Sequence, residues 1–295
     1  MVHCSVVLGT FDGISCGQVA LQRAGITYDK YYASEIDKNA ITVAQKNWPD
    51  TIQLGDITKW RDWDIEKIDL IIGGSPCQGF SSVGKKLNFD DPRSKLFFDF
   101  VDIIRHYKPK YWLLENVVMK DEIRDVISDC LGVQPIFINS SLVSAQNRKR
   151  YYWTNIPNVT LPKDKGIKLS DILENDEYQY SATITGRRLK DGVRKDYDMS
   201  VPITQCLQVR KDSHIVPCLT TVSKDAVVSK LPHGRYAGAY DTTLREQWRD
   251  LTNLECERLQ TLPDNYTTGI AETQRRKAIG NGWTVDVIAH ILSGI

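Results

Sequence analysis

The sequence predicts an α/β protein with a mainly parallel, doubly wound sheet. A small, loop-rich, β-containing domain is inserted before the C-terminal segment. Two observations predict this. Through residues 1–157, apolar β-branched runs alternate with amphipathic helical stretches, the pattern of successive βαβ units. From 158 to 245 the alternation fails, and short β-like runs such as "IVPCLTT" and "AVVSKL" stand among basic, glycine-bearing stretches. A third observation bears on function. Asp12, Glu35, Asp56, Cys77 and Glu115 all fall at the carboxyl ends of predicted strands, where open α/β sheets bind their ligands.

The elements follow in order. "CSVVLGTFDG" is a β-branched run stopped by Gly9, a strand and a tight turn. "CGQVALQRAGI" holds helix formers with Gly25 as the stop. "YDKYYASEID" predicts a second strand ending in Glu35 and Asp37, and "KNAITVAQKNW" a helix closed by Pro49. "TIQLGDIT" predicts a short third strand ending at Asp56, and "IDLIIGGSP" a buried fourth. "SKLFFDFVDIIRHYKP" sets Leu96, Phe97, Phe100, Val101 and Ile104 on one helical stripe. "KYWLLENV" predicts a fifth strand ending in Glu115-Asn116, "DEIRDVISDCLG" a helix, and "VQPIFINSS" and "RYYWTNIP" further strands. Past the middle domain, "RDLTNLECERLQTLP" predicts an amphipathic helix. "RRKAIGNGWTVDVIAHIL" predicts a basic turn, a Gly-Asn-Gly loop and a final helix. The expected division is 1–157, 158–245, and 246–295 returning to complete the first domain.

A chain of 295 residues is long for one core. With 41% hydrophobic and 25% charged residues it has an ordinary globular composition. No stretch approaches the roughly 18 apolar residues that span a bilayer, and the start lacks a basic n-region, so neither a membrane span nor a signal peptide is expected. Seven cysteines, scattered without CxxC spacing, argue against a disulfide framework and a metal site and for a reducing, cytoplasmic setting. The net charge of +1 hides an uneven distribution. Residues 1–139 carry 16 basic against 19 acidic side chains, 140–235 carry 16 against 10, and 236–295 carry 6 against 8. The middle third is therefore the candidate polyanion-binding face.

The turn "FDGISCG" spaces its glycines as Gly9, Gly13 and Gly17 rather than GxGxxG, and Asp12 would repel a diphosphate. A cofactor without phosphate fits better. Glu35 is placed for a ribose diol, Asp56 for an adenine amine and Phe11 for the adenine face, a set that suits S-adenosylmethionine. Cysteine attack needs a thiolate and an electrophile. A pyrimidine becomes electrophilic at C6 when an acid engages N3, and attack there makes C5 nucleophilic toward a methyl group. The chain offers a thiol at Cys77, an acid at Glu115 and cationic donors in "QNRKR", Gln146–Arg150.

In order the chain shows "FDGISCG", "SEIDKNA", "GDIT", "GGSPCQGFS", "DPRSKLFFDF", "LLENV", "QNRKRYYW", "LTNLECERLQTLP" and "AIGNGWTVDV". This series resembles the cytosine-C5 DNA methyltransferases over about 1–155 and 245–295. Its variants "GNGWTV" and "VSAQNRKRYYW" lean toward the form seen in eukaryotic de novo enzymes. The resemblance implies a Rossmann-like, S-adenosylmethionine-dependent methyltransferase fold, with the middle segment as a variable target-recognition domain. It implies Cys77 as nucleophile and Glu115 as the acid at N3 and N4 of a flipped cytosine. Arg148 and Arg150 become the pair around O2 and the nucleophile loop, Arg150 being the O2 contact. It implies a cofactor site of Phe11, Asp12, Gly13, Glu35, Ile36, Asp56, Ile57, Pro76 and Leu96, completed by Asn281 and Trp283.

For DNA, it implies a closing loop from Gln78 to about Arg93, with Ser81, Ser82, Val83 and Lys85 at the duplex and Gly84 as a hinge. Val83 is the candidate to fill the gap left by an extruded base. Arg187, Arg188, Arg194, Lys195 and Arg210 of the middle domain are expected near DNA. The partner is double-stranded DNA, met as a monomer without metal or membrane, in a prokaryotic or phage setting where a cognate restriction enzyme would be invisible. The tRNA cytosine branch shares these motifs, but the basic insert "TGRRLKDGVRKDYD" favours DNA. A non-catalytic DNA-binding relative should have lost Cys77, Glu115 or the arginines. The cysteines other than Cys77 read as small core or surface thiols.

Overall fold

The computed structural model describes residues 2–65, 67–76, 92–175, 177–190, 193–211, 214–232, 240–241 and 246–295. The first half forms β1 (Val2–Thr10), α1 (Cys16–Arg23), β2 (Ile26–Ser34), α2 (Lys38–Asn47), β3 (Ile52–Gln53), β4 (Leu70–Gly73), α3 (Pro92–Tyr107), β5 (Tyr111–Val117), α4 (Asp121–Leu131), β6 (Ile136–Asn139), β7 (Gln146–Asn147) and β8 (Lys149–Thr154). Seven of these strands make one sheet in the order β3-β2-β1-β4-β5-β8-β6. β1 to β5 run parallel, and β8 lies antiparallel between β5 and β6.

The central strands read as near-continuous apolar runs because both their faces are buried. Side chains alternate across the sheet. Val7, Leu70, Ile72 and Leu113 enter one core with Val19 and Leu21 of α1. Leu8, Ile71 and Leu114 enter the other, with Phe97 and Phe100 of α3 and Trp153 of β8. The chain winds outward from β1 to β3, then crosses to β4 on the other side of β1. That reversal opens a crevice beyond the carboxyl ends of β1 and β4, the switch point of a doubly wound sheet.

The middle segment is β-containing as expected, and its strands at Val216–Pro217 and Val227–Ser229 fall in the two predicted runs. β9 (Tyr180–Lys190), β10 (Val193–Arg194), β11 (Ile203–Val209), β12 (Val216–Pro217), β13 (Val227–Ser229), β14 (Tyr240–Asp241) and β15 (Trp248–Asp250) include a six-stranded sheet. Its core is Ala182, Ile184, Leu207, Val209, Val227 and Trp248. In β9, Ala182 and Ile184 reach that core before the run turns basic at Arg187, too short an apolar alternation to be heard in the sequence. β12 leaves this sheet and pairs in parallel with β7.

The chain returns through α5 (Asn253–Leu259), α6 (Glu272–Asn281) and α7 (Val285–Leu292). α5 starts with a capping box between Thr252 and Glu255. α7 buries Val285, Val287, Ile288 and Ile291 in the core shared with α1, and Asp286 reaches Arg23 at 2.6 Å. α6 corrects the expected basic turn, since "ETQRRKAIGN" is helix through Asn281. It lacks an apolar stripe because its inward position Arg275 is charged, and that charge is met by buried Glu257 at 3.1 Å. The expected third strand is also shorter. Only Ile52 and Gln53 pair, and Asp56 caps a 3₁₀ turn, accepting from Thr58 N at 2.9 Å. No helix among the described residues is long and apolar enough to cross a membrane.

Candidate active site

A cleft of about 470 Å³ occupies the switch point, within the size range of small-molecule sites. Phe11 and Gly13 line it from the turn after β1, Glu35 and Ile36 after β2, and Asp56 and Ile57 after β3. Gly74 and Pro76 follow β4, Leu96 lies on α3, Glu115 lies in β5, two residues before its end, and Arg148 and Arg150 come from the β7–β8 stretch. Lys277 and Asn281 of α6 close the far wall. The helix is held there by Lys277 on Asp37 at 2.9 Å and Gln274 on Asn39 at 3.4 Å. The C-terminal segment thus completes a site begun almost 270 residues earlier.

The carboxylates in the cleft are fixed by backbone. Glu35 accepts from Gly13 N at 2.8 Å, Ile36 N at 2.7 Å and Asp37 N at 2.8 Å. A carboxylate has about four acceptor positions, so Glu35 keeps capacity for one further donor while its orientation is set. Asp56 uses Oδ1 for its cap, and Oδ2 has no partner among the described residues. Gly74 is tight for a reason of its own: a Cβ there would stand 3.0 Å from both Glu115 Oε2 and Trp283 Nε1. An oriented carboxylate with one acceptor position to spare, a free carboxylate oxygen and a bare backbone floor fit the polar nucleoside and methionine ends of S-adenosylmethionine.

Asp12 does not line this cleft. Burial beneath the turn puts its carboxyl on Tyr31 Oη at 2.6 Å and on Ser15 Oγ. That burial, which outweighs both hydrogen bonds, raises its pKa to about 6. Asp12 therefore shapes the turn that carries Phe11 and Gly13 into the cleft. Trp283 is likewise absent from the lining, and its Nε1 donates to Glu115 Oε2 at 3.2 Å.

Glu115 lines the cleft and is 8% exposed. Arg150 Nε meets its Oε1 at 2.7 Å. Burial works against the charge of Arg150, but Glu115 and Cys218 outweigh it, and the guanidinium pKa is raised. Asn116 Nδ2 donates to Ser75 O at 3.2 Å and Ser75 Oγ at 3.3 Å, fixing the chain just before residue 77. Arg148, only 4% exposed, is a brace. Its guanidinium donates to Leu219 O at 3.1 Å, Gly280 O at 3.4 Å and Gly282 O at 2.8 Å. Beside it Gln146 joins Leu259 O at 3.1 Å and Gln260 Oε1 at 3.2 Å, while accepting from Leu219 N at 2.9 Å.

Sequence reasoning missed two participants and one contact. Gln260 locks the end of α6 through Ile279 O at 2.9 Å and Gly282 O at 3.1 Å. The Trp283–Glu115 contact joins residues 168 apart and has no local signal. Cys218, read as an unremarkable thiol, lies between Arg148 and Arg150.

Cys77, Gln78, Ser81, Ser82, Val83, Gly84 and Lys85 lie outside the described residues, as does the side chain of Arg194. Of the expected DNA-facing residues, Arg187 lies 3.9 Å from Asp196 and 3.5 Å from Gln208. Arg188 donates to Val201 O and closes the turn between β10 and β11. Lys195 is exposed and Arg210 half-buried. On that turn Tyr197 is fully exposed and Met199 is 77% exposed, two projecting side chains that the charge count did not single out.

The sequence profile of the C-5 cytosine-specific DNA methylase family matches residues 6–125 and 139–295. The chain is 31% identical over 279 residues to the type II methyltransferase M1.ScrFI of Lactococcus lactis subsp. cremoris, covering 88% of this chain and 70% of that one. It is 34% identical over 178 residues to the type II methyltransferase M.NgoBV of Neisseria gonorrhoeae, covering 53% of this chain and 42% of that one. It is also 30% identical over 185 residues to the orphan methyltransferase M.Rho11sI of Bacillus phage rho11s, covering 58% and 34%. The chain thus spans less than half the length of two of these three relatives. The fold matches Entamoeba histolytica methyltransferase EhMeth with a TM-score of 0.74 at 20% identity, covering 98% of this chain and 97% of that one. It matches Spodoptera frugiperda DNMT2 with a TM-score of 0.69 at 22% identity, covering 98% and 99%. The fold is that of a Rossmann-like methyltransferase, and the chain belongs to the C-5 cytosine-specific DNA methylase family.

Proposed function

We propose that this protein methylates C5 of a flipped cytosine in duplex DNA at a specific sequence, using S-adenosylmethionine and a covalent Cys77–C6 intermediate. One observation carries the reading. A nearly buried carboxyl, Glu115, is held by Arg150 and Trp283 in the wall of a nucleoside-sized cleft, next to the segment that leads into Cys77.

S-adenosylmethionine, when bound, supplies an electrophilic methyl group, and S-adenosylhomocysteine is the leaving product. The protein's part is to make the pyrimidine receive it. Glu115 engages N3 and draws electron density from the ring, with Arg150 beside O2. The Cys77 thiolate adds to C6, forming the S–C6 bond and leaving C5 nucleophilic. After C5 takes the methyl, a base removes the C5 proton, the C5–C6 double bond returns and the thiolate departs. The target carbon is stacked inside a duplex, so the cytosine must first be extruded, at a cost of a few kcal/mol. Val83 and the Gln78–Arg93 loop are assigned to that step. The middle sheet, with Lys195, Tyr197, Met199, Arg194 and Arg210, is assigned to the duplex, where base contacts select and phosphate contacts position.

A duplex carrying 5-fluorocytosine tests the reading, because fluorine at C5 cannot leave as a proton does. The protein with S-adenosylmethionine should form an adduct that survives denaturant, and Cys77→Ser should form none. An equal adduct yield with Cys77→Ser contradicts the nucleophile. Methylation of tRNA but not of duplex DNA contradicts the substrate.

A further inference from the structure

A short strap of the middle segment ends against the arginines of the active site. Val216 and Pro217 of β12 pair with Gln146 and Asn147 of β7. Leu219 N donates to Gln146 Oε1 at 2.9 Å, and Leu219 O accepts from Arg148 Nη1 at 3.1 Å. On the other side the strap lies against α6. A Cβ on Gly280 would come within 2.6 Å of the Thr220 carbonyl carbon, so only glycine admits this approach. The strap is therefore gripped by a strand pair on one side and a helix end on the other.

At its centre Cys218 Sγ lies 3.3 Å from Arg148 Nη1 and 3.8 Å from Arg150 Nη2. Arg150 offers a fixed fork of donors. Nε meets Glu115 at 2.7 Å and Nη1 donates to Lys149 O at 2.8 Å. Among the described residues, Nη2 has Cys218 as its partner. A long arginine side chain keeps one orientation only when its head is constrained from several directions. Here one of those constraints belongs to the middle segment, not to the sheet that carries Arg150.

We infer that Cys218 is a positioning residue. Its sulfur holds the Arg150 head so that Nε stays on Glu115, and the strap thereby ties target recognition to the geometry of the acid. The inference rests on the proposed methyl transfer for its kinetic consequence but not for its structural one.

The test compares two substitutions. Cys218→Val removes the sulfur acceptor with little change of volume, and Cys218→Ser keeps an acceptor. With duplex DNA and saturating S-adenosylmethionine, Cys218→Val should lower kcat about tenfold. Its KM values should stay within about twofold, and Cys218→Ser should recover to within about threefold of the parent. In parallel, NMR of the unliganded protein reads hydrogen exchange at Arg150 Hε. That exchange should quicken about tenfold in Cys218→Val and stay at the parental rate in Cys218→Ser. Full kcat in Cys218→Val, equal losses in both variants, or a loss confined to KM would overturn the inference. If the parent methylates no DNA, the functional reading fails, and Arg150 Hε exchange unaltered by Cys218→Val would then overturn this inference separately.

Discussion

The two large sheets of this protein differ in how they hold the side chains to which the proposed function gives a role. At the end of the seven-stranded sheet Glu35, Glu115 and Arg148 are each tied several times over. Glu35 accepts from three backbone amides, Glu115 from an arginine and a tryptophan, and Arg148 reaches three carbonyls. On the six-stranded sheet the turn between β10 and β11 projects Lys195, Tyr197 and Met199 into solvent. The difference matches the two tasks that the proposed function gives these sheets. Chemistry on a bound base gains from groups held in place before the substrate arrives. A surface that reads a duplex needs side chains free to settle on phosphates and base edges.

If that contrast is right, the largest effect comes from the tied acid. Glu115→Gln keeps the shape but removes the transferable proton, and kcat should fall ~10²–10⁴-fold. Titration with S-adenosylmethionine should give nearly the parental Kd. A lost Kd instead would put Glu115 in the cofactor site and break the comparison.

Arg148 comes next, as a brace. Arg148→Ala leaves the carbonyls of Leu219, Gly280 and Gly282 without their donor. Urea unfolding should record a loss of ~3 kcal/mol. A stable but inactive variant would mean that Arg148 touches substrate rather than scaffold.

Asp12 gives a pH dependence of similar or smaller size. Burial raises its pKa from 3.8 to about 6, so in that window the native state binds more protons than the unfolded chain. Its contribution is therefore least unfavourable below 3.8, and stability falls as pH rises toward 6, by up to ~3 kcal/mol. Asp12→Asn cannot ionise and should flatten that part of the stability–pH curve. Parallel curves for the two proteins would place the Asp12 carboxylate in a less hostile setting than the structure gives it.

The smallest folding effect belongs to the projecting side chains. Tyr197→Ala should change stability by no more than ~0.5 kcal/mol. It should alter the choice among DNA sites by about tenfold, the scale of one base contact. Unchanged site choice would remove Tyr197 from the reading surface and weaken the contrast between the sheets.

How far the sequence spoke depended on how local the cause was. Strands such as Leu70–Gly73 were audible because both faces are buried and every residue is apolar. Glu35 and Glu115 stood out because the runs that carry them read as strands, and Asp56 because it follows the run "TIQL", although only Ile52 and Gln53 of that run pair. α6 was misheard because Arg275, its inward residue, is charged and needs Glu257, which no periodicity reveals. β9 was missed because its alternation dissolves into the basic run at Arg187. Gln260, Trp283 and Cys218 act across distances in sequence that only the folded chain brings together.

The proposed function has the Glu115 carboxyl in the cleft and the Cys77 thiol direct a methyl group to one carbon. The most direct measurement is nucleoside mass spectrometry of duplex DNA after incubation with the purified protein and S-adenosylmethionine. The account predicts 5-methylcytosine with the parent and a fall of ~10²-fold or more with Glu115→Gln. Methyl groups found on N4 of cytosine or N6 of adenine, or 5-methylcytosine formed at the parental rate by Glu115→Gln, would contradict it.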